Sequence, residues 1–393
     1  MWNNKISTNN MLRAAFLFGF ASFSAWVPVF TLWLEDQEMK GSQIGFIAAI
    51  PWAVMLILQP LWGILADKYG KAFCLRIALV GSALGFLLFH IFSNNHITII
   101  ILTFLVSVFY TPVLSLLDSI ALDNAEKSRS VSYSEMRFWG APGFALGAMI
   151  TGWLIPEWGA EIAFYTTAFF LLMVLLSICR YPIVNSLQKN MDIEFKGLNR
   201  VMTNKLLMGF LFVVIIVSVG QSAISYYLPI YMRQIGATSD TTGIALAIQA
   251  LSELPFYFIA AWLIKRINSG TVVFIAIFAT ALRLFFYSVN YNPQIVMFIE
   301  TMNGITWTLL WIASVEFVNE MVPSQWRTTG QSLLWAAYYG AGAILGNIII
   351  GRMYESLEIH YIYSILSLSI LIIAITALPL FIFQKTKFKK SRS

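Results

Sequence analysis

Apolar runs of about twenty residues or more recur along this chain between short polar stretches, and at roughly 1.5 Å per residue each can cross a bilayer as a helix. The pattern predicts twelve spanning helices, with cores near residues 12–33, 43–65, 73–93, 97–121, 132–155, 161–180, 204–232, 239–264, 271–289, 294–321, 328–351 and 358–383. Membrane β-strands are excluded, because they alternate apolar and polar positions over about ten residues, whereas these runs are continuously apolar. The longest polar connection, residues 181–203, splits the pattern six to six. The expected fold is therefore all-α and membrane-embedded, with bundles over 1–180 and 204–393, a central loop at 181–203 and a basic C-terminal tail.

Charge placement bears on topology. Twenty of the 25 Lys and Arg fall at the two ends or on even-numbered connections, three (Lys40, Arg233 and Arg352) fall on odd-numbered ones, and Arg137 and Arg283 lie inside helices. Basic residues are retained on the cytoplasmic side during insertion, so both ends are expected in the cytoplasm of a cell-membrane protein, with the first apolar run kept as a helix rather than cleaved. The net charge of +6 then reflects topology, not nucleic-acid binding. With 59% hydrophobic and 11% charged residues, the chain is far from a soluble domain, where about a quarter of residues are charged.

Against that background, five ionisable residues inside apolar runs point to function: Asp118, Arg137, Glu253, Arg283 and Glu300. A charge in hydrocarbon costs roughly 2.5–3.5 kcal/mol on insertion scales, so such residues face water-filled cavities and mark solute or proton paths. Glu316 and Glu320 fall near the cytoplasmic helix end and read as solvated; Glu135 lies two residues from Arg137, on another helix face. Buried amides need partners, which makes Gln221, Gln249 and Asn303 candidates for contacting solute hydroxyls. Trp26, Phe144, Tyr226 and Trp307 are the aromatic candidates. The three histidines, His90, His96 and His360, fall near the outer surface, and Cys74 and Cys179 near cytoplasmic helix ends. No metal, cofactor or nucleophile constellation is present to support an enzyme.

The turn between helices 2 and 3, Gly63-Ile-Leu-Ala-Asp67-Lys68-Tyr-Gly70-Lys71, carries a glycine, Ala-Asp-basic, glycine-basic pattern, with a thinner counterpart at Ile264–Gly270. Gly63 is expected to let two helices approach closely, Asp67 to accept hydrogen bonds, and Gly70 to permit the tight turn. This pattern resembles the major facilitator superfamily, in which the patch locks one conformation. Trp33-Leu34, Gln59-Pro60-Leu61-Trp62-Gly63, Arg137-Phe138-Trp139-Gly140, Leu282-Arg283 and Gly351-Arg-Met-Tyr-Glu-Ser356 are similar to the lactose permease group of proton symporters, with its nucleoside and phenylpropionate relatives. The resemblance implies that Arg137 holds solute with an acid on helix 4, Phe144 stacks on it, Glu253 couples solute to proton and Arg283 poises a proton site. Asp118 matches the phenylpropionate members. Asn303 and Thr306 replace the histidine and glutamate of the lactose relay, leaving Glu253, Glu300 and Asp118 as proton carriers.

Those residues predict proton-coupled uptake of a small polar solute, a sugar, glycoside or nucleoside, by alternating access between two halves, with the protein acting as a monomer. Import of an aromatic carboxylate is the alternative, followed by drug export. A membrane sensor is the alternative outside transport, and the short tails and central loop offer it no output domain.

Overall fold

The computed structural model describes residues 2–93, 95–128, 131–181, 203–323, 326–379 and 381; most of the predicted central loop and the basic tail lie outside them. Among the described residues there are eleven apolar helices long enough to cross a membrane: α1 (Thr8–Asp36), α2 (Gly41–Tyr69), α3 (Lys71–Phe89), α4 (His96–Glu126), α5 (Tyr133–Trp158), α7 (Lys205–Gln234), α8 (Ser239–Ile267), α9 (Ser269–Val289), α10 (Pro293–Met321), α11 (Thr329–Tyr354) and α12 (Ile359–Thr376). The shorter apolar α6 (Ile162–Ile178) brings the number to the predicted twelve. Capping residues set several starts: Asn95, Asn204, Asn268 and Asn292 each accept a backbone N–H of the first turn, satisfying donors that the helix itself leaves unpaired.

Packing groups the helices. α1 lies against α5 and α6, and α3 against α4 and α6; α9 lies against α10 and α12, and α7 against α11 and α12. Three pairs join these halves, α1–α7, α2–α11 and α5–α8. Glycine makes the last two contacts close enough for backbone to touch backbone: a Cβ on Gly45 would sit 2.2 Å from the Asn347 carbonyl oxygen, one on Gly41 would be 2.4 Å from that of Gly351, and one on Gly243 would be 2.6 Å from that of Ala148. Gly342 and Gly346 leave room on α11 for the side chains of Ser218 and Ser222 of α7, as small residues at membrane helix interfaces do.

Let the odd face hold the connections 1–2, 5–6, 7–8 and 11–12, and the even face hold 2–3, 4–5, 8–9 and 10–11. On the odd face the polar contacts cross between halves. Arg233 pairs with Glu35 and, at 2.5 Å, with Asp36; Tyr354 donates to Glu35 at 2.5 Å; and Ser42 donates to Glu355 through its hydroxyl and its amide. The even-face contacts that the described residues show lie within one half: Lys71 pairs with Asp123 at 2.7 Å, Ser269 donates to Glu320 at 2.8 Å, and Arg76 donates to carbonyls between Ile178 and Tyr181. Among the described residues, the polar links between the halves thus gather at the odd face.

One expectation for the helix 2–3 turn needs correction. Gly70 does take the left-handed conformation (φ 95°), but a Cβ on Gly63 would meet nothing within 4 Å, so no helix approaches there. In the counterpart turn the left-handed residue is Asn268 (φ 75°), not Gly270. Gly270 is instead small because Phe317 lies 2.9 Å from where its Cβ would stand. Asp67 and Lys68 are exposed, with Lys68 over the ring of Tyr69.

The odd-face seal carries a pH dependence of known sign. Ser42 holds the Glu355 carboxyl below its usual range, so the contact is intact above that range, about pH 4.3, and is lost as pH falls through the lowered value. The seal should therefore stay shut from pH 8 to pH 5 and give way only in stronger acid. Impermeant maleimide reacting with a Phe144→Cys reporter, in a background lacking Cys74 and Cys179, measures this; labelling that rises already between pH 7 and 5 would contradict it.

Candidate functional site

The helices that carry the intramembrane charges are interrupted near those charges. α4 breaks at Thr111 before Pro112; α5 breaks at Phe138-Trp139, directly after Arg137; and α8 breaks at Ser252, directly before Glu253. α10 breaks between Glu300 and Gly304 and continues as a π-helical turn, Gly304–Leu309, and α11 contains a second one, Ala336–Gly342. Non-helical backbone at membrane depth persists only where it is buried in protein or lines a wet cavity, and π turns inside helices gather at functional sites.

In the first half, Asp118 and Arg137 meet, with Arg137 Nε 3.5 Å from Asp118 Oδ1 and side chains 33% and 35% exposed. Tyr133 donates to Asp118 at 2.9 Å, and the Arg137 guanidinium lies 4.0 Å from the ring centre of Phe20. Glu135 is not the partner of Arg137, as expected from its helix face. Tyr257 of α8 donates to Glu253 of the same helix, and Tyr339 of α11 stacks on Trp52 of α2 across the junction of the halves.

In the second half, a single amide connects a half-buried acid to a buried ion pair. Asn303 donates through Nδ2 to Glu253 Oε1 at 2.9 Å and accepts at Oδ1 from Arg283 Nη1 at 2.7 Å. Arg283 Nη2 donates to Glu300 Oε2 at 2.5 Å, its Nε to Tyr287 Oη at 3.0 Å and its Nη1 to Thr306 Oγ1 at 2.9 Å, while Tyr287 donates to the other Glu300 oxygen at 2.6 Å. Both Arg283 and Glu300 have no solvent exposure. Charges taken out of water this completely need every partner satisfied, and each oxygen of Glu300 has one.

This places the candidates apart. Asp118 and Arg137 come together as expected, Glu253 has its contacts with Asn303 and Tyr257 of its own half, and Phe144 is half-buried, packed on Phe23. Arg283 does not reach toward the surface, and Glu300 is not hydrated: the two neutralise each other. Two of the amides are occupied within the protein, Asn303 as above and Gln221 donating to the Thr306 carbonyl at 2.7 Å, whereas Gln249 donates only weakly to Asn303 and its buried Oε1 has no partner. Trp26 is only 3% exposed among Phe30, Phe86, Phe89 and Phe164, a core position rather than a solute contact. Trp307 is half-buried in a group with Trp311, Tyr338 and Tyr339, and Tyr226 accepts a hydrogen bond from Trp52 Nε1 at 2.5 Å. Glu316 and Glu320 are exposed at the even face. Cys74 is buried, Cys179 exposed, and no group of three metal-ligating side chains occurs among the described residues.

Reading the residues alone missed Tyr133, Tyr257, Trp52 and Tyr339. A signal existed for the last: tyrosine belongs at membrane interfaces, and one at the centre of an apolar helix needs a partner for its hydroxyl.

Comparison with known proteins agrees with this architecture. The model of the MFS_1 like family matches residues 10–365. The maltose permease of Geobacillus stearothermophilus is 25% identical over 355 residues, 89% of this chain and 88% of that protein. A putative niacin/nicotinamide transporter of Bacillus subtilis (strain 168) is 24% identical over 349 residues, 86% of this chain and 85% of that one. Among solved structures, the nucleoside transporter NupG superposes with a TM-score of 0.83 at 17% identity, covering 95% of this chain and 99% of that one. The chain belongs to the MFS_1 like family of the major facilitator superfamily, and is a membrane transporter of small solutes rather than an enzyme.

Proposed function

We propose that the protein imports a polar, hydroxyl-bearing organic solute, a sugar, glycoside or nucleoside, together with a proton, with its two ends in the cytoplasm. The observation that supports this reading is the partly exposed Asp118–Arg137 pair inside the membrane, in a molecule whose polar links between the halves gather at the odd face; Glu253 is taken to face that pair from the second half. A guanidinium and carboxylates together bind several hydroxyls through charge-assisted hydrogen bonds. Glu253 is the proton carrier. Rocking of the halves changes its access to water, whereas Glu300 is enclosed and paired. Arg283 and Glu300 form a fixed dipole that holds Asn303, and through it Glu253, in one orientation. An entering proton gains about 2.3 kcal/mol per 100 mV of membrane potential, enough to concentrate solute by tens.

Import of an aromatic carboxylate is the second reading, favoured by Arg137 and the aromatic group on α10 and α11; the similarity to a putative niacin/nicotinamide transporter supports it. Uptake of radiolabelled maltose, uridine and nicotinate, with and without a protonophore, decides between the two. Arg137→Ala should lower uptake of the transported solute about tenfold to a hundredfold, the value of one or two charged hydrogen bonds, at normal levels in the membrane. Unchanged uptake in that variant would refute the site.

A further inference from the structure

Tyr339 sits at the junction of the two halves, beside the contact of Leu56 with Gly340. The α2–α11 seam runs from Gly41 against Gly351 to Leu56 against Gly340, and the Tyr339 ring closes it. That ring is stacked on Trp52 of α2 (centroids 5.4 Å apart, planes at 21°) and on Trp335 of its own helix (4.6 Å, 24°). Trp311 and Tyr338 pack against it at steep angles. Trp52 is itself pinned by its hydrogen bond to Tyr226. With a tryptophan from each half stacked on it, the ring is held in place. What it can offer is its hydroxyl, carried on a half-buried side chain where the two halves meet. The residue also lies inside the π-helical turn Ala336–Gly342, which sets its direction differently from that of a regular helix at the same position.

The geometry points to Tyr339 as a specificity-determining solute contact on α11: its hydroxyl hydrogen-bonds one ring-edge hydroxyl or carbonyl of the solute, while Trp52 and Trp335 hold it in place as positioning residues. This rests on the transport reading above and names the kind of group the solute must present. A site built to hydrogen-bond a substrate hydroxyl discriminates against analogues lacking it far more strongly than an apolar pocket discriminates by size.

The test uses radiolabelled maltose or uridine, whichever the intact protein accumulates, and its monodeoxy analogues. Tyr339→Phe keeps the stack and removes only the hydroxyl. It should raise KM about tenfold or more with little change in maximal rate, and for one monodeoxy analogue it should change nothing, because the partner is already missing. A purely structural pin between the halves predicts instead that Tyr339→Phe behaves as the parent protein; that outcome, or an equal loss for every analogue, overturns the proposal. Should Tyr339→Phe not reach the membrane, Tyr339→His, which keeps a hydrogen-bonding edge on a flat ring, is compared with Tyr339→Leu; transport by the histidine variant no better than by the leucine variant also overturns it. Failure of the parent protein to accumulate either solute counts against the transport reading, and parent uptake with an unaffected Tyr339→Phe counts against this inference alone.

Discussion

Arg283→Met should cost about 3–5 kcal/mol of stability, the penalty for leaving one member of a buried ion pair without its partner. Glu300 would then lie fully enclosed with a single hydrogen bond, from Tyr287, and Asn303 would lose the donor that fixes its carbonyl side. Thermal unfolding of the purified protein in detergent measures the loss. The double variant Arg283→Met with Glu300→Met removes both charges and replaces them with apolar side chains of similar reach, an exchange that is often neutral or stabilising. It should unfold near the parent temperature and still fail to accumulate solute against a gradient, because Asn303 no longer orients Glu253. A double variant as unstable as the single one would show that the pair matters for its shape rather than its charge.

The second large effect concerns the seams. Gly45→Val puts carbon where the Asn347 carbonyl oxygen now lies, 2.2 Å from the first added atom, with the Gly351 Cα at 2.9 Å. Both obstacles are backbone, so no rotamer change relieves them and α2 must move off α11. Overpacking of this kind costs about 1–3 kcal/mol, enough to shift a two-state equilibrium about tenfold or more against the closed odd face. Uptake should fall by at least that factor, while the Phe144→Cys reporter becomes more reactive to impermeant maleimide from the odd face. Gly243→Val, on the pseudo-equivalent α5–α8 seam, should do the same. If neither substitution raises labelling, the seams do not close that face.

Much of this arrangement was readable from the residues because a bilayer penalises polar groups so strongly. Twelve apolar runs become twelve helices, and Asp118 and Arg137 stand together because an acid or arginine in hydrocarbon must find water or each other. The same argument could not say which of these groups is wet. Arg283 and Glu300 satisfy the penalty by mutual burial, which depends on α9 and α10 bringing residues 17 positions apart within 2.5 Å. Aromatic residues were harder still. Trp26 in a dry core and Tyr339 at the junction of the halves have similar apolar neighbours in sequence, and lipid, core and cavity all accept a ring. Gly63 misled for a related reason: glycine in an apolar helix reads as a contact, yet here no neighbour comes near. The π turns leave no periodicity signal, since one extra residue per turn is lost in a run that is apolar on every side.

α1 and α7 run unbroken through the membrane and meet directly, Thr31 donating to the Tyr226 carbonyl, whereas α4, α5, α8, α10 and α11, which carry the groups proposed to meet the solute, are all interrupted. Axle and gears are thus separate pieces of the machine. Changing the cargo asks only for edits in helices whose regular bonding has already been surrendered, so lineages sharing this frame can diverge in what they carry without relearning how to move.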